Sequence, residues 1–140
     1  MYVDKELTMC ANQEMIGSSA TDYSLYCINL GSTVGDIGSG APLYVIINVG
    51  TAFASGTSTG TVQFKVLEES DTTIDSGSTV LVETKAFLVT ALTEGKVLAI
   101  PIPAGIITKQ YLGLSATYAV EEVTAGKIDA FVAIQPPLNP

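Results

Sequence analysis

The sequence predicts an all-β domain: an antiparallel β-sandwich, most simply a jelly roll, carrying an N-terminal arm. Three observations carry that prediction. Apolar and polar residues alternate over strand-length runs, Gly-rich turns separate the runs, and no interior stretch holds a helical period. A parallel β/α architecture would need helices between its strands, and the connections here are too short for them. The 140 residues form one domain, long enough to bury roughly two thirds of the unfolded surface.

Along the chain, residues 1–22 read as an arm. Leu7, Met9, Ala11 and Met15 alternate poorly around Glu6 and Glu14, which fits a short helix or an irregular segment. GSSATDY at 17–23 breaks any helix, since Gly and Ser favour turns and Asp22 can accept local backbone hydrogen bonds. The sandwich domain spans 23–135. Ser24–Leu30 is its first expected strand, and Leu43–Val49, apolar on both faces, reads as a central strand covered on both sides. Val62, Phe64 and Val66 point one way and Thr61, Gln63 and Lys65 the other, the clearest alternation in the chain.

Residues 68–78 read as a polar surface loop, followed by a strand at Thr79–Thr84. Ala86–Leu92 fits either one helical turn or a short strand. Val97–Ile102 is an edge strand, because Pro101 and Pro103 cannot donate to a ladder. Tyr111–Val120 places Leu112, Leu114, Ala116 and Tyr118 on one face, and Ile128, Ala130, Val132 and Ile134 repeat the pattern. Residues 136–140 form a stiff Pro-rich tail. The two ends, through Leu7, Met9 and Met15 and through Pro136, Pro137 and Leu138, are candidates for inter-subunit contacts, because terminal segments often reach over a neighbour.

Composition narrows the function. The chain has no His and no Trp, and all six basic residues are Lys, so Arg is absent too. That removes His-dependent nucleophiles and metal sites and the planar fork that clamps phosphates. A net charge of -8 argues against nucleic acid and favours a basic partner surface. Only 14% of residues are charged while 47% are hydrophobic, which implies a surface partly hidden by neighbours in an oligomer or assembly. The uncharged stretch 37–64 has too short an apolar run to span a membrane. The first ten residues lack a secretory pattern, so synthesis in a reducing cytoplasm is expected, with Cys10 and Cys27 as thiols.

The loop 31–42, GSTVGDIGSGAP, looks superficially like a phosphate cradle but runs into a strand rather than a helix. Its glycines supply positive φ and Asp36 caps a turn. Glu68, Glu69, Asp71 and Asp75 lack calcium-loop spacing and read as a solvated loop. Glu121 and Glu122 form a carboxylate pair with no other catalytic candidate beside them. The six Tyr residues suit core and interface packing. No catalytic, metal or cofactor residue is expected.

The ordered blocks INLG at 28–31, DIGSGAPLYVIINV at 36–49, IPIPAG at 100–105, KQYLGL at 109–114 and TAGKIDAFV at 124–132 resemble the capsid cement, or decoration, proteins of tailed phages, of Bordetella-phage type. The matching motif positions are Asn29, Leu30, Gly31, Asp36, Gly38, Gly40, Pro42, Pro101, Pro103, Tyr111, Leu112, Gly113, Ala125 and Gly126. The resemblance implies a jelly roll without catalytic residues, made in the host cytoplasm and bound to the outer surface of an icosahedral head. Its partners would be an HK97-type major capsid protein, whose capsomers it bridges, and itself as a dimer or trimer. Neither nucleic acid nor membrane is implied. The family pattern often has Arg before Tyr-Leu-Gly and Asp before Leu-Gly, where this chain has Gln110 and Asn29, so the salt bridge such a pair would make is not expected. The competing reading is a carbohydrate- or receptor-binding β-sandwich of a fibre or adhesin.

Overall fold

The structure, a computed structural model, describes residues 7–17, 20–31, 43–103 and 105–133. Its strands are β1 (Thr8–Glu14), β2 (Thr21–Tyr23), β3 (Ile28–Asn29), β4 (Leu43–Ser55), β5 (Thr61–Glu69), β6 (Thr79–Glu83), β7 (Phe87–Leu88), β8 (Val97–Ile102), β9 (Tyr111–Ala119) and β10 (Val123–Ala133). They build two antiparallel sheets. The first runs β1-β10-β4-β8; the second runs β2-β9-β5-β6, with β3 also on β9 and β7 also on β5. Each outer strand of the second sheet is thus a broken one, β2 with β3 and β6 with β7. Taken as single strands, these give the strand order of a jelly roll, and the fold is an antiparallel β-sandwich.

The core lies between the sheets. Val45, Ile47, Val49, Ile128 and Ala130 face Val62, Phe64, Val66, Leu112, Leu114 and Ala116 across it, all fully or nearly fully buried. Here the period-two alternation of β5, β9 and β10 becomes burial on one face. Phe53 of β4 meets Phe64 of β5 edge to face, with centroids 6.3 Å apart, a geometry that contributes about 1 kcal/mol beyond area burial. Opposite Phe53, the register of β10 shifts three times between Val123 and Ile128. Gly126 sits in that bulged stretch with φ +153°, and a Cβ there would lie 2.5 Å from the Phe53 ring. The missing side chain is what lets the ring reach the core.

Three expectations need correction. Residues 8–14 are not an arm: they pair with β10 as an edge strand, with Thr8 opposite Phe131 and Gln13 opposite Ile128. Met9 and Met15 are 0% exposed and belong to the core, so their side chains are not open to a neighbouring subunit. Two register shifts and a positive φ at Asn12 scramble the alternation that would have marked the strand. The expected strand at 24–30 pairs only at Ile28–Asn29, because the backbone of 24–26 bonds to both sheets instead. Finally, Glu68 and Glu69 end β5, and Glu68 is 3% exposed rather than solvated.

Other expectations hold. β8 is an edge strand, and Ala86–Leu92 contains both alternatives, β7 followed by a 3-10 turn at Val89–Ala91. The expected contacts at Pro136, Pro137 and Leu138 lie outside the described residues, as do Asp36, Gly38, Gly40 and Pro42.

At one end of the sandwich Glu121 ties the β9–β10 turn to the β4–β5 turn. Its carboxylate accepts from the Thr57 amide at 2.7 Å and hydroxyl at 3.0 Å, and from the Thr59 amide and hydroxyl at 3.2 Å each. The Ser55 hydroxyl, then the Thr57 and Thr59 donors, hold this carboxyl down at about 2 against partial burial, which acts the other way. Val120 beside it adopts φ +72°, an unusual conformation for a β-branched residue, and its side chain is 77% exposed.

Two outcomes follow from this packing. Gly126→Ala should lower stability by about 2 kcal/mol or more in denaturant titrations, because the new methyl and the Phe53 ring occupy the same space. Glu121 stabilises the fold fully above its ordinary value of 4.5, and that contribution fades as pH falls toward about 2. Calorimetry across this window should show the melting temperature of Glu121→Gln varying less with pH than that of the parent.

Candidate interaction surface

The chain leaves β1 in the first sheet and enters the second at β2 and β3, and residues 24–27 strap the side of the sandwich between the two. The strap's backbone bonds are satisfied from within. Ser24 N donates to Leu114 O of β9 at 2.8 Å, and Tyr26 N donates to Met9 O of β1 at 3.2 Å. Between them, the Gln13 side-chain amide donates to Tyr23 O at 2.8 Å while its carbonyl accepts from Leu25 N at 2.9 Å. The Ser24 hydroxyl donates to Tyr26 O and accepts from Leu114 N.

With the N–H groups of residues 24, 25 and 26 all bonded inward, what this part of the strap offers to a partner is its side chains. Leu25 is 73% exposed and Tyr26 53%. Leu7, two residues before Met9, is 39% exposed. Of the three N-terminal contact candidates, Leu7 alone keeps an exposed apolar side chain. Leu25 and Tyr26 were not singled out as contacts in the sequence, where SLYCINL reads as the first strand of the sandwich. A Tyr on a bonded backbone matches what protein interfaces use at their centres, Leu25 adds apolar area next to it, and little backbone entropy is lost when they dock.

The motif residues fall into three places. Asn29, Leu30, Gly31, Tyr111, Leu112 and Gly113 gather where β3 meets β9. Asn29 Oδ1 accepts from Gln110 Nε2 at 3.0 Å and from Gly31 N at 2.9 Å. The two departures from the family pattern thus touch each other, and a neutral hydrogen bond stands where the ion pair would be. Gly31 takes φ +86°, open to glycine, and Leu30 N donates to Gln110 O. A Cβ on Gly113 would lie 2.6 Å from Ile74, which folds down over it. Ala125 and Gly126 form the β10 bulge, and Pro101 and Pro103 mark the exposed end of β8. All are positions that shape the fold.

The acidic residues likewise act as anchors. Glu68 accepts from the Thr108 amide and hydroxyl, both at 2.8 Å, and from Lys109 N at 3.1 Å, pinning the segment before β9. Asp22 accepts from the Tyr118 hydroxyl at 2.7 Å and from Ile16 N at 3.2 Å. Burial, then this bond to Asp22, pushes the Tyr118 phenol far above its ordinary range. Among the described residues no group of three or more His, Cys, Asp and Glu is placed to hold a metal, and no helix is long and apolar enough to cross a membrane.

Both cysteines are free. Cys10 is buried, and that burial together with the Asp129 charge pushes its thiol up to about 12, whereas Cys27 in the strap is half-buried. Alkylation of the native protein at neutral pH should therefore modify Cys27 first and leave Cys10 unmodified until the fold is opened by denaturant, as read by peptide mass spectrometry.

A comparison with curated proteins finds no match. A family model does match: the Bbp16 model aligns with residues 11–132, from within β1 almost to the end of β10. The chain belongs to the Bbp16 family, a family related to Bordetella phage.

Proposed function

We propose that the protein is a non-enzymatic structural component of a phage virion, a cement protein that binds the outside of the head and bridges capsomers of an HK97-type major capsid protein as a homo-oligomer. The observation that carries this reading is membership of a phage-related family over nearly the whole domain. The strap supports it. A rigid backbone showing Leu25 and Tyr26 suits docking to a fixed lattice, where each subunit buries a modest area and avidity across several capsomers supplies retention. A net charge of -8 adds attraction to a basic shell surface.

Among the described residues one ion pair is found, Lys65–Glu83 at 3.9 Å and partly exposed, so added salt should weaken attachment with little effect on the fold itself. Co-sedimentation of purified protein with expanded phage shells is the test. The parent should pellet with shells in a salt-sensitive manner, and a Leu25→Ser, Tyr26→Ser double variant should bind at least about tenfold more weakly with an unchanged melting temperature. Failure of the parent to bind, together with its absence from virions by mass spectrometry, would end the proposal.

A further inference from the structure

The outer face of the second sheet carries a groove that neither the fold nor the docking strap accounts for. Its floor is a cross-strand row: Tyr23 of β2 pairs with Ser115 of β9, which pairs with Lys65 of β5, and Thr21 and Thr117 stand side by side in the next row. One wall is the loop 70–78, and Gly113 explains why it stands there. Leu67 is the cross-strand partner of Gly113, and Ile74 fills the space over that glycine, so the loop is anchored flat on the sheet. Leu67 is buried at that place. The loop's tip is held by its own bonds, with Asp75 N donating to the Ser78 hydroxyl at 3.0 Å and Gly77 N to the Asp75 carboxylate at 2.8 Å.

The depression so formed measures about 160 Å³. It is lined mainly by hydroxyl-bearing residues, Thr21, Thr117, Ser76 and Ser78, together with Lys65 and Asp75. At roughly 30 Å³ for each water in the liquid, that is space for about five waters, or one sugar ring.

We propose that this groove binds a saccharide, one neutral pyranose unit at a time. Sugar hydroxyls donate and accept, as Ser and Thr hydroxyls do, and the Thr21–Thr117 pair at 3.2 Å uses one hydroxyl proton and leaves the other to a ligand. Tyr23 and Val80, which also line the groove, offer apolar surface to the C–H face of the ring. Lys65 is already paired with Glu83 and Asp75 is acidic, so among its described residues the groove holds no free cation for a phosphate and suits an uncharged polyol. Because the floor sits on paired strands, the polar groups hold their places before a ligand arrives.

Titration of the intact protein with glucose, galactose and N-acetylglucosamine, followed by amide NMR shifts, tests this. At least one sugar should perturb Tyr23, Ser115 and Thr117 together at millimolar concentration, while inorganic phosphate should not. Tyr23→Ala and Lys65→Met should each weaken that binding about tenfold or more; the half-buried Lys65 side chain makes its variant a safe one for folding. If none of the sugars shifts these residues up to its solubility, if the shifts survive both variants unchanged, or if phosphate alone binds, the groove is not a saccharide site. Shell attachment is measured separately, so either reading can fail without the other.

Discussion

The side chain of Gln13 is the joint between the two sheets. A segment that breaks away from its strand and runs along the side of a sandwich, touching both sheets, must satisfy its backbone there or leave polar groups stranded at the margin of the core. Here one amide, almost buried on edge strand β1, takes a carbonyl from Tyr23 and an N–H from Leu25, and Met9 O takes the next N–H. With those groups satisfied the segment needs no strand partner of its own. It closes the edge and turns its apolar side chains outward.

The same economy of charge runs through the rest of the molecule. With few ionic groups, the fold is tied at its ends by carboxylates that accept from hydroxyls and amides: Glu121 between two turns, Glu68 beneath the segment before β9, Asp22 on Tyr118. Among the described residues no buried side-chain nitrogen or oxygen lacks a partner. Spending the acidic residues this way fixes the loops, and fixed loops in turn define the surfaces the protein can offer.

Much of this was visible in the residues. Val62, Phe64 and Val66, and Leu112, Leu114, Ala116 and Tyr118, declare their strands because regular alternation is enough to bury one face. Pro101 and Pro103 likewise mark the edge. β1 was hidden because bulges place Met9 and Cys10 both inside, so no simple period survives. The strap was hidden because its order comes from Gln13 and Leu114, distant in sequence, and because Leu and Tyr in a strand-like run look like core. The motif glycines were readable as positions of need, but the reason for Gly113 and Gly126 lies in Ile74 and Phe53, which only the packing brings near.

If the strap is what the protein presents to a capsid, its contacts should be visible directly. A cryo-electron microscopy reconstruction of phage heads carrying the protein measures this most directly. The account predicts density for the β-sandwich on the outer shell, with Leu25 and Tyr26 buried against a capsomer or a neighbouring subunit. A sandwich bound to the head with both side chains facing solvent, or heads with no such density, would contradict it.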